Sequence, residues 1–175
     1  MFADISQFTK LSDYLPILNG CLLADIIIII YTFYYLKTDT LKLWYKKYTL
    51  SAVITDTLIL VIGIIIARAL YSRIFGPEFN IIKFIFLVLC IQIIHDVIFY
   101  FGIIKPLPRG ANNMIDLFKD YGEEVKGGAI LGDSVMMIIA TLLASLLANY
   151  NNNTNIIIII ILVYLMPYIV HAKDL

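Results

Sequence analysis

The stretch IIKFIFLVLCIQIIHDVIFYFGII, residues 81–104, decides the fold. It is apolar from end to end except for Lys83, Gln92 and the adjacent pair His95-Asp96. A run this long is too long for a core strand. At about 1.5 Å per residue it is long enough to cross a hydrocarbon core of roughly 30 Å as a helix. Four further runs have the same character: 15–36, 48–71, 129–148 and 156–170. The last spans only about 22 Å, which predicts little tilt or a locally thinned bilayer. The first lacks a basic leader and a small-residue cleavage site, and reads as a retained helix rather than a signal peptide.

Composition agrees. The chain has 175 residues, 61% hydrophobic and 15% charged, with mean hydropathy +0.90. Soluble domains carry about a quarter charged residues. The expectation is an all-α membrane protein, a single transmembrane domain over 1–175, in contact with the lipid bilayer and open to homo-oligomer formation. Thirteen basic and thirteen acidic residues cancel, which argues against nucleic acid as a partner. Cys21 and Cys90 fall inside apolar runs and read as packing residues, not a disulfide. The runs IIIII (26–30) and NIIIIII (155–161) reflect an Ile/Asn-rich composition and carry no mechanism.

The connections sort onto two sides. One side holds Lys37, Lys42, Lys46, Lys47, Lys105, Arg109, Lys119, Lys126 and Lys173; the other holds Lys10, Arg73, Arg68 and Lys83. Basic residues accumulate on cytoplasmic loops, so the N-terminus is expected outside or lumenal and the HAKDL tail cytoplasmic. Arg68 and Lys83, near helix ends, are expected to snorkel to headgroups, with a pairing of Arg68 to a buried acid as the alternative. Phe33, Tyr34, Tyr35, Trp44, Tyr45 and Tyr48 flank the basic 37–47 loop, as an interfacial aromatic belt would. The sequon at Asn152 lies too near the membrane to expect glycosylation.

With that topology, Asp25, Asp56, Asp96 and Asp133 each fall on a different helix, about 6–17 Å below the cytoplasmic surface. His95 shares the level of Asp96. Cys21, Asp25 and Thr32 form one stripe, and Gln92, Asp96 and Tyr100 another. Asp56 lines up with Gly63 and Ala67, and Asp133 with Met136, Met137, Ala140, Ala144 and Ala148. Small residues mark close helix approach. The aspartates therefore point into the bundle, forming a polar cluster of Asp25, Asp56, Gln92, His95, Asp96 and Asp133. A carboxylate costs about 2.5–3.5 kcal/mol at the bilayer centre, so unpartnered aspartates would oppose insertion. Such a layer either glues helices together or lines a proton or cation path. A metal held by Asp25, Asp56, His95 and Asp96 is the weakest alternative, because the cluster has one histidine and no HxxxH spacing. Nothing in the sequence marks a cofactor or a catalytic nucleophile.

KPLPRGANNMIDLFKDYGEEVKGG, residues 105–128, is the one long connection. Pro106 and Pro108 stop the third helix, and Asn112 or Asn113 can cap a new one. Met114, Leu117, Phe118, Tyr121 and Val125 recur at helical spacing. Asp116, Lys119, Asp120, Glu123 and Glu124 occupy the other face. A cytoplasmic interfacial helix over about 112–126 is expected, its charged face a candidate docking surface.

Three blocks carry a resemblance: WYKKYTLSAVITDTLILVIGIIIAR (44–68), IQIIHDVIFYF (91–101) and PRGANNMIDLFKDYGEEVKGGAILGDSVMM (108–137). Over about residues 20–148 the chain resembles small polytopic membrane proteins of large and giant double-stranded DNA viruses. Asp56, His95, Asp96, Asp116, Lys119, Glu123 and Asp133 lie in these blocks. The resemblance implies a structural or assembly protein of a virion internal or host-derived membrane, its cytoplasmic loops contacting capsid or scaffold proteins. It implies no catalytic role.

Overall fold

In the computed structural model, which describes residues 1–172, every regular element is helical. Lys173 and the rest of the KDL tail lie outside the described residues. A short 3-10 turn, Leu11–Asp13, leads into α1 (Tyr14–Tyr34). There follow α2 (Asp39–Tyr48), α3 (Leu50–Phe75), α4 (Ile81–Phe99), α5 (Asn113–Val125), α6 (Gly128–Leu147) and α7 (Asn152–Val170). Five stretches are long and apolar enough to cross a membrane: 11–34, 50–75, 81–104, 128–147 and 152–170. The chain is an integral, multi-pass, all-α membrane protein.

Two boundaries differ from the sequence reading for physical reasons. The last span begins at Asn152, four residues earlier than apolarity suggested, because Asn151 caps it by accepting from the Thr154 N–H at 2.8 Å. Its 19 residues give about 28 Å of helix, the added first turn, Asn152–Asn155, being polar. The 37–47 segment, read as a loop, is the helix α2. Leu41, Trp44, Tyr45 and Tyr48 recur at i, i+3, i+4 and i+7 and face inward, while Lys46 and Lys47 face out. Two amphipathic helices, not one, therefore sit at the basic end of the bundle. Thr49 turns the chain from α2 into α3 with φ +46° and ψ −119°. That conformation suits glycine and strains a β-branched residue.

The other expected terminators hold. Asn112 accepts from the N–H groups of Met114 (2.8 Å) and Ile115 (3.2 Å) and starts α5. Asn80, which the sequence reading did not single out, caps α4 in the same way. Beyond Phe99, α4 widens into a π-turn, Tyr100–Ile104, in which Lys105 N–H reaches the Tyr100 carbonyl at 2.8 Å.

α1 is the hub, packed against α6, α7 and α3. Its closest approach is to α6. A β-carbon on Gly20 would sit 2.5 Å from the Ala144 nitrogen and 2.9 Å from the Ala140 carbonyl oxygen. Gly20 and Ala24 thus mesh with Ala140 and Ala144, small residues four apart on both helices. Below this crossing, Asn19 donates to the backbone (2.9 Å) and side-chain (3.1 Å) oxygens of Asn155. Asn155 in turn donates to the Leu147, Tyr150 and Asn151 carbonyls, closing the α6–α7 turn. Outward faces are apolar, as at Ile54, Ile62, Phe86, Ile98 and Ile160, and meet lipid.

Replacing Gly20 by leucine has no room that side-chain motion can supply, because the obstruction is backbone. The expected cost is about 3 kcal/mol or more of stability, read as a lower melting temperature in detergent. Gly132→Leu, at a glycine with open space around it, is the matched control and leaves the transition in place.

Candidate functional site

The acidic layer lies beneath α2 and α5. Asp25, fully buried on α1, receives the Tyr45 hydroxyl at 3.3 Å and the Thr57 hydroxyl at 3.5 Å, the outer limit of a hydrogen bond. Asp56 on α3 receives the Trp44 indole N–H at 2.9 Å, and the Tyr45 hydroxyl interacts with it too. The two carboxyls are close enough to interact electrostatically. Burial, and then the charges of Asp56 and Asp25, push the Tyr45 hydroxyl well up from its ordinary value, so it remains a donor. Trp44 and Tyr45 come from α2, which thereby clamps α1 to α3 at this end, while Thr57 reaches Asp25 from α3 itself.

Gln92, His95 and Asp96 form the second part. The Gln92 amide donates to Asp96, and the Ser134 hydroxyl donates to the Gln92 carbonyl oxygen at 3.0 Å, joining α4 to α6. His95 Nδ1 lies 3.2 Å from Asp96 Oδ1. Asp133 is within electrostatic reach of both Asp96 and Asp56, so it bridges the two parts. The four aspartates thus do form one layer, but a graded one. Asp25 is sealed, Asp56 and Asp133 are half-buried, and the His95 and Asp96 side chains are 41% and 23% exposed.

An aromatic roof covers the layer. Phe118 of α5 packs on Trp44 with ring centres 4.7 Å apart and meets Phe99 edge-on at 6.2 Å. Phe99 in turn stacks on His95 at 5.6 Å. Trp44 and Tyr45 are almost completely buried. The sequence placed them in an interfacial belt; they are hydrogen-bond donors to the carboxyls instead. Tyr34 and Tyr35 remain exposed, as a belt requires.

The charged face of α5 is largely used within the chain. Glu124 caps α2, accepting from the Asp39 (2.9 Å) and Thr40 (3.0 Å) N–H groups and from the Thr40 hydroxyl. Asp116 accepts from the Gly110 N–H at 2.8 Å, and Lys119 donates to the Leu107 carbonyl. Arg109 bridges Asp120 (2.7 Å) and Glu123 (3.1 Å). These bonds fold the 105–112 loop onto α5 and α5 onto α2. Among the described residues, no three His, Cys, Asp or Glu side chains stand close enough to hold a metal ion. Asp25, Asp56, His95 and Asp96 are therefore not one coordination site: the first two turn to α2 donors and the last two to each other.

The opposite end has its own polar centre, where Arg68 follows the alternative reading, a pairing with a buried acid. Arg68 does not snorkel. It is fully buried, 3.6 Å from Asp13, itself buried. Its Nη2 donates to the Lys10 carbonyl at 2.9 Å and to the Gln7 carbonyl, and its guanidinium lies over the Tyr14 ring at 4.5 Å. Lys10 pairs with Asp13 at 2.8 Å. Residues 1–13 thereby fold back as a plug. Ala3 exchanges hydrogen bonds with Ser145 through its N–H (3.1 Å) and its carbonyl (2.6 Å), and Ile5 enters the core. Lys83, by contrast, stays exposed beside the Phe75 ring, as expected.

Two outcomes follow. The Thr40 hydroxyl, supported by the Thr40 and Asp39 N–H groups, holds the Glu124 carboxyl below the usual carboxylate range. A depressed folded value contributes stability above the unfolded value, about 4.3, and loses it as pH falls through the folded one. Trp44, the single tryptophan, should report loosening of the α2–α5 clasp below about pH 4, and Glu124→Gln should shift its emission already at neutral pH. At the other end, Asp13→Ala leaves Arg68 buried without its counter-ion. The expected cost is about 3 kcal/mol, against almost none for Ala at exposed Arg73, measured by thermal unfolding in detergent.

No protein-family model, curated protein or solved structure matches the chain. What the layer does therefore rests on its own atoms.

Proposed function

We propose that the chain is a structural or assembly component of a membrane, built to hold a rigid helical end against a partner layer. The supporting observation is the close packing between its two polar centres, where, among the described residues, the one interhelical polar contact is the Asn19–Asn155 pair. From the Asp25–Asp56 pair to Arg68–Asp13, the interior is filled by Cys21, Leu60, Ile64, Ala67, Val88, Met137 and Ala140, all buried. Thr141, buried in the same zone, donates to its own helix at the Met137 carbonyl, 2.8 Å away. Asp25 and Asp56 accept from Tyr45, Thr57 and Trp44 on neighbouring helices, and such bonds act as helix glue. With the α5 acids engaged inside the chain, the end displays Lys37, Lys47 and Lys126 outward. In this reading that end is cytoplasmic, by its excess of basic residues, and meets capsid or scaffold proteins. The viral setting is carried by the resemblance of the 44–68, 91–101 and 108–137 blocks.

The competing reading is a proton or cation path, favoured by the electrostatic continuity of Asp25, Asp56, Asp133 and Asp96. Purified protein in liposomes separates the two. The structural reading expects no flux under a pH or cation gradient, and Asp96→Asn that inserts and folds like the parent. A gradient-driven flux that Asp96→Asn abolishes would replace it with transport.

A further inference from the structure

We infer that residues 11–75 and 81–147 are two copies of one unit, set side by side in the membrane, and that Tyr121 holds Asp133 as Trp44 holds Asp56. Each unit is a span, a short amphipathic helix, a tight junction and a second span: α1–α2–α3 and α4–α5–α6. The opening spans, 11–34 and 81–104, are both 24 residues long. DTLKLWYKKYTLSAVITDTLILVIGIIIARAL (39–70) and DLFKDYGEEVKGGAILGDSVMMIIATLLASLL (116–147) align from end to end without a gap. Asp39, Lys42, Ala52, Asp56 and Ala67 meet identical residues, and Thr57 meets Ser134. The junctions match in shape. Thr49 (φ +46°, ψ −119°) and Lys126 (φ +51°, ψ −128°) are the two non-glycine residues with positive φ among the described residues, and they occupy the same place in the alignment. That conformation is costly for a residue with a β-carbon. Its presence at two equivalent positions marks the units as copies.

Packing repeats as well. Exchanging α1 with α4 and α3 with α6 turns the α1–α6 contact into α4–α3 and the α1–α3 contact into α4–α6, while α2–α5 maps onto itself. Equivalent helices run in the same direction, so the relating axis lies along the membrane normal, as in other parallel-repeat membrane proteins. The match is imperfect where size dictates: Cys90 falls at the place of Gly20, so α4 lacks the glycine that lets α1 meet α6 backbone to backbone. The hydroxyls of Thr57 and Ser134 both reach back to the opening span of their own unit, to Asp25 (3.5 Å) and to Gln92 (3.0 Å). Arg68 and Ser145, also equivalent, both bind carbonyls of the 1–13 plug. Trp44 lies five residues before the first junction and donates to Asp56, seven residues after it, at 2.9 Å. Tyr121 and Asp133 hold the same two places around the second junction. Burial, and then the charge of Asp133, pushes the Tyr121 hydroxyl up from its ordinary value, which keeps it a donor beside that carboxyl.

Thermal unfolding of the full chain in detergent tests the pairing through double-mutant cycles. Trp44→Phe with Asp56→Ala sets the standard: together they should lower the melting temperature by clearly less than the sum of the two single losses. Tyr121→Phe with Asp133→Ala should show the same shortfall. Tyr164→Phe, at an exposed position of α7, should be additive with Asp133→Ala. The junctions supply a second readout that leaves the acids in place. Thr49→Gly and Lys126→Gly should each raise the melting temperature by a similar few degrees, because glycine relieves the positive φ. Additive losses for Tyr121→Phe and Asp133→Ala overturn the proposal. So does a junction glycine that stabilises one unit and destabilises the other.

Discussion

The meeting of Gly20 with Ala144 sets the geometry of everything else. Backbone contact between α1 and α6 places α1 at the hub, where α3, α6 and α7 all reach it. In lipid no hydrophobic force drives helices together, so close van der Waals contact and interhelical hydrogen bonds must do so. α1 uses both: small residues at the crossing, Asn19 on one side and Asp25 on the other. Because α1 is central, Asp25 is sealed, and its carboxyl can be satisfied only by groups brought to it, Thr57 from α3 and Tyr45 from α2.

The bundle is consequently held differently at its two ends. At the basic end, neutral donors from short amphipathic helices reach down to acids on the spans, and aromatic rings close over them. At the N-terminal end, a buried cation organises carbonyls and an acid from the 1–13 segment. Between them the core is packed mainly with apolar side chains, interrupted by the buried Asn19–Asn155 pair. Each end meets the same problem, a polar group removed from water, with partners of the opposite kind, although Arg68 Nε and Nη1 and Asp13 Oδ2 keep no hydrogen-bond partner among the described residues.

Much of this was legible, and the limits are physical. The five spans, the Asn112 cap and the shared level of the aspartates follow from apolar run length and depth counting. α2 was missed because three lysines in ten residues look like a solvated loop; its period at Leu41, Trp44, Tyr45 and Tyr48 was the available signal. The turn at Thr49 left no signal, since a positive φ there is held by a residue other than glycine. Without that turn, Trp44 could not be foreseen beside Asp56. Arg68 looked like any cation near a helix end. Only the fold brings Asp13, far away in sequence, to its side, and periodicity does not encode such pairings.

The plug has a bearing on how the molecule is made. Ala3 and Ser145 are separated by 142 positions, and Met1 bonds to Asn149. A ribosome emits chains from the N-terminus at about 5–20 residues per second. Residues 1–13 must then wait several seconds for α6 before their hydrogen-bonding partners exist. Closure of that end is a late event in biogenesis, and the Arg68 guanidinium remains uncovered until helix one has found its place.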